Sequence, residues 1–226
     1  MTTGKDGNGT MQRADAPDGA RPYHHGNLRE ALLVAAEAVL AEAGTAGFSL
    51  RATARRAAVS HAAPAHHFGD VDGLLGALCE RGFRRLTETM TAYLRDERTP
   101  VERLLRAGAG YVAFARAHPA LFELMFGARM AREGGPSRGN AAFALLLDAL
   151  GAARGRPIGT DDDWRAVAGT WAVVHGLAQL AIAGQLHFLP RARDAAGESG
   201  GTLGDEEIVR VLRETLADTR TRTKPR

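Results

Sequence analysis

Nearly every stretch of the chain that carries apolar residues repeats them at helical spacing, and no stretch shows a convincing strand alternation bounded by hairpin turns. This periodicity restricts the fold to the all-α class. The residues available to fill such a fold are small: aromatics make up 6% of the 226 residues and 27 are glycine, so alanine and leucine must build much of the core. Cys79 is the single cysteine, which excludes a disulfide framework and a cysteine-rich zinc site. The formal charge of +3 permits a nucleic-acid partner without arguing for one. No segment reaches the roughly 20 apolar residues of a membrane helix, and the N-terminus lacks the apolar run of a signal peptide. A cytoplasmic protein with no membrane partner is expected.

Glycine- and proline-rich punctuation divides the chain at 1–22, 131–140, 151–162 and 191–206. The first of these is expected to be a disordered tail, because it has too little apolar surface to offset the entropy of ordering it. Asn27 with Glu30 has the spacing of a capping box for a first helix, whose apolar face runs from Leu28 to Leu40 and which ends at Gly44. Ser49 is suited to cap a short second helix, and Ser60 to cap a third over about 61–67, with Pro64 in its first turns. Gly69-Asp70 then opens a long fourth helix. Three short helices with a tight turn between the last two can bring one helix into a major groove, or can form a small subdomain with no partner.

The run HHGNLREALLVAAEAVLAEAGTAGFSLRATARRAAVSHAAPAHHFGDVDGLLGAL resembles the N-terminal DNA-binding domain of the TetR family of bacterial transcriptional regulators. Further on, HPALFELMFG and WAVVHGLAQLAIAGQL look like the Trp-His-Gly type of regulatory domain found in one subgroup, with Trp171, His175 and Gly176 as its motif. The resemblance implies a helix-turn-helix DNA-binding domain at 23–70, followed by a larger helical bundle at 71–220 for ligand binding and dimerisation. It also implies a homodimer on a near-palindromic double-stranded operator, most simply a repressor released by a small-molecule effector, with no enzymatic activity and no cofactor.

On this reading the third helix meets base edges through Ser60, His61, Ala62, Ala63, His66 and His67. Phosphate contacts come from Arg21, His24, His25, Arg29, Ser49, Arg51 and Arg55. The recognition helix lacks the arginine or lysine that commonly pairs with guanine. Two further positions depart from the family pattern: Ala65 stands where a tyrosine is usual, and Val71 where a lysine or arginine is. Ala58 replaces the glycine often found at the corner, which is tolerable if its φ stays negative. Over 21–69 five arginines face three glutamates, a modest surplus. An alternative therefore stands beside the repressor: a helical, dimeric interaction or sensor protein that keeps the fold with weakened DNA binding. Adjacent histidines on a helix diverge, so His24-His25 and His66-His67 make no chelate by themselves, and no metal site is expected.

In the bundle, Tyr111, Phe122, Met125, Trp171 and His175 are candidates to line an enclosed apolar pocket, or else form ordinary core. Gly108 and Gly176 are expected to let neighbouring helices approach. The apolar surface of 164–190, with the final helix at 206–218, is the expected dimer interface.

Overall fold

A computed structural model describes residues 25–94, 99–127, 141–189 and 203–221, all helical or in the turns between helices. The expected tail, with Arg21 and His24, lies outside these residues, as does the side chain of His25. Among the described residues the elements are α1 (His25–Ala43), α2 (Leu50–Arg56), α3 (Ala63–Phe68), α4 (Val71–Ala92), α5 (Pro100–Ala117), α6 (Pro119–Phe126), α7 (Ala141–Arg154), α8 (Asp161–Ile182) and α9 (Asp205–Thr221).

Helix α1 starts before Asn27, so that residue lies inside the first turn and does not cap it. Glu30 is not a capping carboxylate either; its side chain reaches Arg81 of α4. Leu32, Leu33, Ala36, Val39 and Leu40 are buried, and Gly44 closes the helix at φ +63°. Ser49 caps α2 as expected, accepting the Ala52 N–H at 3.2 Å. Ser60 does not cap α3. That helix begins two residues later than expected, with Ala62 at the cap position and no side-chain cap, while the Ser60 carbonyl accepts the Ala63 N–H at 3.0 Å. Pro64 is buried in its first turn, where the missing N–H is harmless. Asp70 then caps α4, accepting the Gly73 N–H at 2.8 Å, so two residues separate α3 from α4.

The corner after α2 departs from expectation. Ala58 has φ +54°, with its N–H bonded to the Arg55 carbonyl and the Val59 N–H to that of Ala54. This pair of bonds is a Schellman motif, whose left-handed position favours glycine. Helices α7 and α8 end in the same pair of bonds, with Gly155 and Gly184 at the equivalent place.

Helix α5 is the centre of the bundle, packed against α4, α7, α8 and α9. Its run Ala107-Gly108-Ala109-Gly110 is buried, which is how so small a set of side chains serves as core. A Cβ on Gly108 would lie 2.8 Å from Leu212 of α9 and 3.3 Å from Val174 of α8. Gly176 differs: among the described residues a Cβ there would meet nothing within 4 Å. Cys79 is an ordinary core residue, 2% exposed.

Helix α9 spends its apolar stripe of Ile208, Val209 and Leu212 inside the chain. Arg106 holds Glu206 through two bonds of 2.7 and 3.0 Å, and Arg213 holds Glu102 at 2.7 Å. Among the described residues no helix is long and apolar enough to cross a membrane.

Candidate nucleic-acid interface and inner cavity

The first three helices expose a small, weakly basic face. Arg51 and Arg55 lie one turn apart on α2, both exposed and without an ion pair among the described residues. Arg56 is tied to Glu42 at 2.6 Å. Arg29 is exposed on α1, its guanidinium 5.1 Å from the centre of the Phe68 ring, which fixes it beside the end of α3. On and before α3, His61, Ala62, Ala65 and His66 are exposed, Ala63 is half-buried, and His67 is half-buried with its ring 6.3 Å from Phe68. Ser49 is occupied by its cap and Ser60 is exposed in the turn. Val71 is half-buried, so its departure from a basic residue also removes a side chain that would have had to reach out from that position. Among the described residues no group of three potential metal ligands comes together.

An ion network joins this unit to the bundle. Arg81, 8% exposed, bonds to Glu30 and lies 3.4 Å from Glu37; Arg85 bonds to the same Glu37 at 2.6 Å. His118, at the junction of α5 and α6, lies 3.8 Å from Glu37. Burial, seconded by Arg85, holds the His118 imidazole below its ordinary pKa against the pull of Glu37. Sequence reasoning missed this cluster, although Arg81 and Arg85 stand four apart on one helix and Glu30 and Glu37 seven apart on another.

The bundle contains a partly open, largely apolar cavity of about 50 Å³. Its walls are Phe83, Leu86 and Met90 of α4; Leu104, Ala107, Gly108 and Tyr111 of α5; Phe126 of α6; Ala142, Phe143 and Leu146 of α7; and Thr170, Trp171 and Val174 of α8. Of the five residues expected to line a pocket, Tyr111 and Trp171 do so. His175 and Phe122 stand behind that wall, stacked at 5.4 Å between ring centres. Met125 fills the space left by the missing side chain of Gly82. Phe83, Phe126, Phe143 and Thr170 are wall residues that the sequence reading missed; their helical spacing marked only a buried face, not which part of it is empty.

The Tyr111 hydroxyl is 2.9 Å from His175 Nδ1. Burial pushes the phenol well above its ordinary pKa, with hydrogen bonding from Trp171 the smaller, opposing influence. Burial also lowers His175, favouring the neutral ring, and the imidazole tautomer sets which of the two groups donates.

A two-residue link between an exposed three-helix unit and a helical bundle with an internal cavity defines the architecture of a helix-turn-helix regulator. The matches to known families agree. Residues 32–78 match the family described as bacterial regulatory proteins, tetR family. Residues 104–200 match the tetracyclin repressor-like C-terminal domain. The chain belongs to the TetR family, whose members are ligand-responsive DNA-binding transcriptional regulators and not enzymes.

Among solved structures, a Rhodococcus sp. RHA1 protein of unknown function is 33% identical, covering 88% of this chain and 98% of its own, with a TM-score of 0.62. A TetR-like transcriptional regulator from the same organism is 18% identical over 87% of this chain and 97% of its own, TM-score 0.62. The TetR-family regulator PfmR from Thermus thermophilus is 17% identical over 82% and 96%, TM-score 0.55. The last two likenesses are of fold alone. No curated protein matches the sequence.

Proposed function

We infer that the protein is a dimeric repressor that occupies a near-palindromic operator and leaves it when a small molecule enters the bundle. The observation that carries this reading is the connection between reader and sensor. The cavity wall includes Phe83, Leu86 and Met90 of α4, and the same helix begins two residues after the recognition helix. An occupant that binds one setting of α4 better than another shifts the balance between them, and with it the spacing of two recognition helices that must sit roughly 34 Å apart. Tyr111, Trp171, His175, Phe122 and Met125 form the wall and the packed layer behind it, which we assign to effector sensing without placing the chain in the Trp-His-Gly subgroup.

Backbone contacts are assigned to Arg29, Arg51 and Arg55, and on the family resemblance also to Arg21, His24, His25 and Ser49; base contacts are assigned to the surface from Ser60 to His67. With so few free arginines, affinity should be moderate. Fluorescence anisotropy on the protein's own upstream DNA tests the reading. Sequence-preferring binding is expected to weaken with salt, and Arg51→Ala should reduce the slope of log K against log salt by about 2 per dimer. Binding that shows no sequence preference and no salt dependence would favour the second reading, an interaction or sensor protein that has kept the fold. The exposed Ala65 and half-buried Val71 motivate that alternative.

A further inference from the structure

We propose that the effector is an uncharged, mainly apolar molecule about the size of a single ring, carrying at most one hydrogen-bonding group, which Thr170 receives. This rests on the cavity being the effector site. Among the described wall residues none is an acid, a base or a histidine; the polar atoms belong to Tyr111, Thr170 and Trp171. The Tyr111 hydroxyl is already committed to His175. The Thr170 hydroxyl is the remaining one in the wall. A charged ligand would therefore lose its hydration and find no counter-ion. Aromatic surface is abundant by contrast, and Phe83, Phe126, Phe143 and Trp171 are only half-buried, so these rings can shift without uncovering the deep core. Movement is required, because about 50 Å³ is roughly a third of the space in which a benzene ring has been held in an engineered apolar cavity.

A second space of about 710 Å³ shares Leu104 and Thr170 with the first, and its rim is charged, with Arg154, Arg156, Arg165, Arg213 and Asp162. Each of these arginines already holds a carboxylate, of Asp163, Asp162 or Glu102, so an anionic effector there would have to compete for them. Comparing matched ligands separates the two.

The full chain carrying Trp164→Phe, so that Trp171 reports alone, is titrated with toluene, benzyl alcohol, benzoate and benzylammonium. Thermal shift on the unsubstituted protein provides a reading that no variant can confound. Toluene and benzyl alcohol are expected to raise Tm and change Trp171 emission, while the two ions do neither at the same concentration. Thr170→Val should weaken benzyl alcohol about five-fold and leave toluene unchanged. Binding of either ion as tightly as the neutral pair overturns the proposal, and tighter binding by benzoate moves the site to the arginine-rimmed space. Failure of every neutral member to bind at millimolar concentration also overturns it. Anisotropy on bound operator DNA keeps the two readings apart: neutral ligands that bind without releasing DNA uphold the ligand class and overturn induction through the cavity.

Discussion

Ala58 is the residue at which local geometry and side chain disagree most plainly. Gly155 and Gly184 occupy the same left-handed position without cost, whereas a Cβ there brings a penalty of about 1–2 kcal/mol. Ala58→Gly relieves it but gives the unfolded chain more freedom, so a net gain of about 0.5–1 kcal/mol is expected, seen as a Tm rise of about 2 °C. An unchanged or lower Tm would show that the corner is not strained. The histidines make a second expectation. His118 and His175 are both held below the ordinary imidazole pKa, first by burial. The unfolded chain therefore takes up their protons first, and stability is lost as pH falls below about 6.5. Melting curves between pH 8 and 5 should show this decline, and His118→Gln with His175→Gln should flatten it. Asp163 does not add to it: the Arg156 guanidinium and the N–H groups of Thr160 and Gly159 hold its carboxyl far below the usual range, so it remains ionised throughout.

Between elements, Arg81 and Arg85 connect α4 to α1 through Glu30 and Glu37. Arg81→Ala leaves Glu30 and Glu37 without the guanidinium they share. It should cost about 2 kcal/mol, less than a fully buried pair because Glu30 is exposed. Faster hydrogen exchange in α1 than in α5 would locate the loss at this junction, whereas uniform acceleration would argue against a local role. Nothing in the sequence could have paired these residues, which stand 51 and 48 positions apart. What the sequence did expose is what is decided within a turn or two: the helical class, the Ser49 and Asp70 caps, the Gly44 stop, and Gly108 as a point of close approach. The Ser60 cap failed because the Ala63 N–H, three residues on, is taken by the Ser60 carbonyl and not by its side chain. The Asn27 cap failed because the helix started earlier. Pocket residues were half legible: periodicity identified a buried face, but whether a buried face meets a partner or a void depends on helices far away in the chain.

For the molecule as a whole, α8 carries the surface best suited to a second copy. Ala168, Gly169 and Ala172 are exposed, Leu180 is 41% exposed, and a Cβ on Gly176 would meet nothing within 4 Å among the described residues. The expected dimer contact over 164–190 and the final helix includes the turn after α8, where Phe188 is 72% exposed. Ala172→Glu should lower the dimer fraction in sedimentation while leaving helix content unchanged; an unaltered fraction would place the contact elsewhere. Helix α4 is an uninterrupted rod of 22 residues, held near its middle by the Arg81 network. From that hold the arm toward the reader at Val71 is about 15 Å and the arm toward Leu86 in the cavity wall about 8 Å, at 1.5 Å per residue. On the proposed induction, a tilt of this rod at the cavity wall is passed to the joint with α3 through the longer of its two arms.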